Sequence, residues 1–515
     1  MDGGLNVLVI FYTMKKKRIA TRGMILLSPK LRRIYDSWFL DATIDEFQAR
    51  MDRGELTSRE LVLLYFHRIA EWNDRLKAII EINPDALHLA DALDEERKRK
   101  GKRGMLHGIP VLLKDNIGTN DKMHTSAGSL LLKDSYAKED AFLVKKLRES
   151  GAIIIGKANM SEWGYFMALF GMPNGYSSRG GQTRNPYGPD RFDVGGSSSG
   201  SAVGVAANFV TVSVGTETSG SIINPASQNS VVGIKPTVGL ISRSGIIPIS
   251  HTQDTPGPIA KTVKDAVYLL VSMIGIDEKD PVTRTNPLTE KELLLALQSP
   301  TLRNIRLGVI REGYFSTLPE EKKVVVEQAI NTMREHGAEI VDHLSLPSGK
   351  EKTSFDVLLH EFKVNMNAYL KNLDPPLTLT DIIAKNAADK ERLLRYGQSL
   401  LEKAEQTSGT LTEKTYLRAL SADYYYATEN GIDALLKEYD LDALLFGQYT
   451  GAALAARAGY PSITVPAGYT AEGEPVGITF TGTKYSEAAL IRIAAAFERI
   501  TKARKHPPLV NGSKR

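Results

Sequence analysis

The chain has 515 residues, 42% hydrophobic and 24% charged, the balance of an ordinary soluble globular protein, and its length taken alone points to two or three domains. A net charge of +5 is small for this size and singles out no class of partner. There is no cysteine, which excludes disulfides, thiolate metal sites and cysteine nucleophiles.

The first apolar stretch, Leu5–Tyr12, is too short for a membrane span, which needs about 20 residues. Its basic cluster, Lys15 to Arg18, follows the apolar run, whereas a secretory signal puts the charge first. Residues 1–24 therefore read as an extension within a lead-in of residues 1–40, with Met14 and Met24 as candidate second starts, and the expected location is cytoplasmic. Thr43–Glu46 and Thr57–Glu60 both have capping-box spacing ahead of a periodic apolar run. In the second run Leu61, Leu64, Tyr65, Ile69 and Trp72 share one face, a core stripe. A further helix is predicted from Asp85 to Gly101. The cations at its end (Arg97 to Lys100, then Lys102 and Arg103) suit the negative end of the helix dipole. No aromatic residues interleave with them for base stacking, so no nucleic-acid partner is expected.

Strand and helix patterns then alternate. Ile109–Leu113 reads as a strand ending at Lys114, Ala141–Ser150 as a helix, Ala152–Ile155 as a buried strand and Ser161–Phe166 as the next helix. Residues 171–191 are a loop rich in Gly, Pro and Asn. Gly195 to Ser201 is a glycine- and serine-rich loop, followed by a short helix of small residues, the apolar run Phe209–Val214 and a second tight turn, Gly215 to Ser221. Later strands are predicted at Val231–Ile234, Ile305–Ile310, Ile340–Leu344, Ala443–Phe446, Ser462–Val465 and Val476–Phe480. This order predicts an α/β fold with a single large mixed β-sheet covered by helices on both faces. Residues 350–440 are more polar and mostly helical, a cover on one side of a body spanning residues 41–508, with a tail at 509–515.

The two serine-rich turns are the chemical signal. A glycine at 220 lets the backbone turn so that the N–H groups of Thr218, Ser219, Gly220 and Ser221 converge on one oxygen, the geometry of an oxyanion hole. A serine nucleophile needs a base. His107, His124 and His251 flank these segments but read as packed loop residues. His360–Glu361 lacks the second histidine of a zinc helix, so no metal is expected. Lys114, at the end of an apolar strand, remains: burial would lower its pKa and suit it to be a base, whereas a lysine at a strand end can equally point to water. Both turns have the Gly-x₄-Gly spacing of a phosphate loop but lack its lysine.

Three separated motifs, Gly108 to Asn116, Gly195 to Ala202 and Gly215 to Ile222, together with Val231 to Thr237, resemble the amidase signature family from about residue 41 to about residue 505. The resemblance implies that family's fold and a Ser–Ser–Lys triad, with Ser221 as nucleophile, Ser197 as bridging serine and Lys114 as base. The 24-residue spacing from Ser197 to Ser221 agrees with it. It also implies a cis peptide at Gly196–Ser197 and hydrolysis of carboxamides to carboxylate and ammonia through an acyl-enzyme, without a cofactor. Ser198, Ser199 and Ser219 would hydrogen-bond the turns. The stretches Ser178 to Tyr187, Gly245 to Ser250 and Gln253 to Pro258 are similar to peptide amidases, which release ammonia from C-terminal peptide amides. The glutaminase-type subunit of tRNA-dependent amidotransferases is an alternative, but it usually carries Gly–Gly–Ser–Ile–Arg at the nucleophile. Here Ile223 follows Ser219–Gly220–Ser221–Ile222. Ser199 also departs from the glycine many relatives have there. Ester or anilide hydrolysis would use the same site. A catalytically silent scaffold of the same fold is a further alternative, against which Lys114, Ser197 and Ser221 stand intact.

Overall fold

The structure, a computed structural model, describes residues 26–348 and 354–509. The extension expected over residues 1–24 lies outside these, as do the start of the 350–440 segment and the tail after residue 509. Both capping boxes form. Thr43 caps the helix Ile44–Asp52, and Thr57 caps the helix Ser58–Leu76, each reciprocated by a glutamate three residues on. The stripe from Leu61 to Trp72 is buried in the main core. The helix Ala86–Lys100 has an engaged basic end: Arg97 and Lys102 share Asp52, while Arg103 clasps Glu96.

Thirteen strands occur among the described residues: β1 (Ile79–Ile82), β2 (Pro110–Lys114), β3 (Ile153–Ala158), β4 (Tyr176–Ser177), β5 (Gly181–Gln182), β6 (Val212–Glu217), β7 (Val232–Lys235), β8 (Thr255–Ala260), β9 (Arg306–Ile310), β10 (Glu339–Leu344), β11 (Ala443–Gly447), β12 (Ser462–Tyr469) and β13 (Pro475–Thr481). Eleven of them form one mixed sheet in the order β1-β3-β2-β6-β8-β7-β12-β13-β11-β9-β10, and β4 with β5 makes a small hairpin inside the predicted 171–191 loop. The parallel strands β3 and β2 are buried along their whole length, which explains their apolar runs Ile153–Ile155 and Val111–Leu113, and β6 pairs parallel to β2 on its other side. Between β3 and β6 in sequence, the small-residue helix Ser199–Ala206 packs against the sheet. A Cβ on Gly200 would stand 2.2 Å from the carbonyl oxygen of Ala78 and 2.4 Å from that of Asn159, so only glycine admits this approach.

Three elements differ from the sequence reading. Strand β1 pairs antiparallel at one edge, where the sequence analysis placed none. Strand β8 lies centrally despite Pro256 and Pro258. Both prolines sit opposite β6, and β7 pairs β8 only at Ile259 and Ala260, so they interrupt no ladder on that side. The segment Ser161–Phe166 is not a regular helix. It is a tight turn in which Trp163 (φ 53°), Gly164 (φ 69°) and Tyr165 (φ 75°) are all left-handed. Tertiary hydrogen bonds override its helical pattern: Ser161 Oγ accepts from Gly175 N–H at 2.8 Å, and Glu162 turns inward to accept from Ser178 N–H at 2.7 Å.

The helices Asp356–Leu370, Leu379–Ala388 and Ser399–Glu405 do not join the main core. Phe362, Met366 and Leu401 form a second apolar cluster with Ala127, Met160, Trp163 and Ile247, which roofs the loops at the carboxyl ends of β2 and β6. No helix among the described residues is long and apolar enough to cross a membrane.

Candidate active site

Strand β2 carries Lys114 into the interior between β3 and β6, where the side chain is 1% exposed. Its Nζ stands 2.8 Å from Ser197 Oγ and 2.9 Å from both the carbonyl oxygen and Oγ1 of Thr216. Of the two readings of this lysine, the solvent-pointing one is excluded. Burial pushes its pKa down to about 7, with the charges of Glu217 and Asp254 working in the opposite direction.

Ser197 follows a cis Gly196–Ser197 peptide, and its carbonyl oxygen accepts from Ser161 N–H. Ser221 is 8% exposed on the turn between β6 and the helix Ile223–Gln228, and its carbonyl oxygen accepts from Ser198 N–H at 3.0 Å. The two serine-rich turns are thereby tied together. Ser198 Oγ donates to Thr216 O, and Ser199 Oγ donates to Gly195 O. Ser219 is exposed. Ser197 and Ser221 line the same cavity, but among the described residues no hydrogen bond joins their hydroxyls.

The expectation that four successive N–H groups converge on one oxygen needs correcting. Gly220 is left-handed (φ 83°), as the turn requires, but its N–H donates to Glu217 Oε1 at 2.7 Å. The other oxygen of the same buried carboxylate takes Ile222 N–H at 2.6 Å and Ile223 N–H at 2.9 Å. Glu217 therefore holds the turn from inside. This leaves the N–H groups of Thr218, Ser219 and Ser221 without an acceptor among the described residues. Thr218 itself is steadied by its hydroxyl, which donates to Asp254 at 2.5 Å. Asp254 also accepts from the N–H groups of Ile249 and Ser250, and burial raises its pKa.

These groups open on a cleft of about 510 Å³, its mouth included. Its apolar wall comes from Met160, Ile246, Ile247, Ile249 and Met366. Asn116, Trp163, Arg243 and Asp254 bring polar groups to it. No histidine lines it among the described residues: His107 packs against Leu93 O, His124 pairs with Glu81, and His251 faces Asn365 and Glu361. Sequence reasoning missed Glu217, Asn116, Trp163 and Asp254 as site residues. A carboxylate inside a glycine- and serine-rich turn was the available signal for Glu217. Asn116 and Asp254 stand inside the segments Gly108 to Asn116 and Gln253 to Pro258 that carried the resemblance, but without a role of their own; nothing local marks Trp163, which arrives by tertiary folding.

The Amidase family model matches residues 60–491. A probable amidase of Arabidopsis thaliana is 44% identical over 485 residues, covering 91% of this chain and 92% of that protein. Among solved structures, the native peptide amidase from Stenotrophomonas maltophilia is 43% identical with a TM-score of 0.85, covering 91% of this chain and 98% of that one. An amidase family protein from Bacillus anthracis is 40% identical with a TM-score of 0.89, covering 96% and 99%.

Proposed function

This chain belongs to the amidase family and is an amide-hydrolysing enzyme, and from that premise we propose that Ser221 is its nucleophile, Ser197 its proton relay and Lys114 its base. The observation that carries the assignment is the amine of Lys114, 1% exposed and 2.8 Å from Ser197 Oγ, in a cleft that Ser221 also lines. Neutral Lys114 keeps two N–H bonds for Thr216 and turns its lone pair to the Ser197 hydroxyl. Ser197 in turn takes the proton of Ser221, once a bound substrate draws the two hydroxyls together. Ser221 Oγ attacks the carboxamide carbon, and the N–H groups of Thr218, Ser219 and Ser221 receive the oxyanion. The proton returns along the same path to the leaving nitrogen, which departs as ammonia. Water then cleaves the acyl ester by the same route and releases the carboxylate.

The similarity to a peptide amidase supports C-terminal peptide amides as the substrate class, and the apolar wall of the cleft suits a hydrophobic acyl part. The test is ammonia release from an N-acyl amino-acid amide, together with covalent labelling by a fluorophosphonate. Wild type is expected to release ammonia from that amide in preference to free glutamine and to take the label on Ser221. Ser221→Ala is expected to do neither while keeping its fold. Turnover by Ser221→Ala above about a thousandth of wild type would remove Ser221 from the nucleophile role.

A further inference from the structure

Two residues that line the cleft each carry a buried polar atom with no hydrogen-bond partner among the described residues. Trp163 is 2% exposed and Asn116 is 6% exposed, both line the cleft, and neither Trp163 Nε1 nor Asn116 Oδ1 has a hydrogen-bond partner. Of the buried side-chain polar atoms left unpartnered among the described residues, these two belong to residues lining that cleft. A buried polar group without a partner costs about 1–3 kcal/mol, so such a pair in a reactive cleft calls for an account.

The orientation of Asn116 is fixed by its surroundings. Its Nδ2 donates to Thr216 Oγ1 at 3.0 Å and to the carbonyl oxygen of Ile247 at 3.4 Å, which only an amide nitrogen can do. The unpartnered atom is therefore the oxygen, an acceptor. Trp163 is held in place by its backbone. It is a bulky residue in the left-handed region (φ 53°, ψ 33°), and its N–H donates to Ala127 O at 3.0 Å. Strain of this kind gathers where a side chain must be aimed. A Cβ built on the next residue, Gly164, would lie 3.9 Å from Ser197 Oγ, so the backbone of this turn passes close to the bridging hydroxyl.

One donor and one acceptor, carried by two residues of the wall, are chemically complementary to the C=O and N–H of a single secondary amide. The reacting carboxamide has its own receptors in the N–H groups of the nucleophile turn. Building on the amide-hydrolase reading above, we propose that Trp163 Nε1–H and Asn116 Oδ1 bind a second amide unit of the substrate, so that the enzyme selects carboxamides bearing an acylamido group over otherwise identical carboxamides without one.

The test measures kcat/KM by ammonia release from three substrates of equal bulk: N-acetylphenylalaninamide, its 2-acetoxy analogue, which keeps the carbonyl but lacks the N–H, and the plain analogue 2-benzyl-4-methylpentanamide, whose isobutyl group lacks both. Wild type is expected to lose on the order of tenfold to a hundredfold at each step, the cost of leaving first Asn116 Oδ1 and then the indole N–H unmatched. In Trp163→Phe the ratio between the acetoxy and plain substrates should collapse toward one, while the ratio between acetamido and acetoxy persists. Equal rates for the acetamido and acetoxy substrates in wild type would overturn the proposal. So would a Trp163→Phe variant that slows all three substrates alike. The wild-type series decides the matter even if that variant fails to fold. No ammonia from any of the three would overturn the amide-hydrolase reading itself, and this inference with it.

Discussion

The state of one amine sets the rate of the proposed chemistry, and its burial gives that state a magnitude. An ordinary lysine, at about 10.4, is neutral in only about 4 molecules per 10,000 at pH 7. Lys114, pushed down to about 7, is neutral in about half. Burial thus multiplies the base-competent population roughly a thousandfold. kcat/KM is expected to climb with pH as Lys114 loses its proton, with a midpoint near 7, and to level off by about pH 8.5. Replacing Lys114 by Met keeps the bulk and removes the base, and should cost at least about 10²–10⁴ in kcat/KM. Stability moves the other way. The folded pKa lies below the unfolded one, so below pH 7 both states carry the charge and folding bears the full desolvation penalty, roughly 4–5 kcal/mol. Between pH 7 and 10.4 the unfolded chain holds a proton that the folded one has released, so stability rises with pH. From pH 6 to pH 9 the penalty falls by roughly 2–3 kcal/mol. Urea melts of wild type and Lys114→Met should therefore differ most in favour of the variant at pH 6, and by that much less at pH 9. A flat pH–rate profile from 5.5 to 8.5, or a stability difference equal at both pH values, would refute the reasoning.

Two further substitutions probe the frame around that amine. Glu217→Gln offers one acceptor oxygen where three N–H groups converge, so at least one buried donor meets an NH₂ group. The variant should lose about 1–3 kcal/mol in urea melts, and about tenfold to a hundredfold in kcat. Because the Glu217 charge favours the protonated amine, the rising limb of its pH profile should also move to lower pH; movement to higher pH would count against the assignment. Gly200→Ala drives a methyl to within 2.2 Å of a backbone carbonyl oxygen that cannot yield, and should cost more than about 3 kcal/mol or prevent folding. Gly204→Ala, on the same helix, meets only the far end of the Leu112 side chain and should cost about 1 kcal/mol, as read by denaturant midpoints.

Local chemistry wrote much of this protein into its residue order. The two capping boxes, the apolar parallel strands β2 and β3 and the glycine- and serine-rich turns each depend on neighbours a few residues apart, which a linear reading captures. The same holds for Lys114 as the last residue of an apolar strand. Sequence left open whether that lysine faces water or the interior, because the answer depends on Ser197, 83 residues away, and Thr216, 102 residues away. It also credited Gly220 with a free N–H that Glu217 occupies, since a side chain folding back across its own turn has no periodic signature. The central strand with Pro256 and Pro258 was hidden for a similar reason. A proline forbids a ladder bond only on the side where a partner strand stands, and which side is open is a property of the assembled sheet. Burial, and with it the pKa of Lys114 and the unmatched atoms of Trp163 and Asn116, comes into being only when distant segments exclude water together.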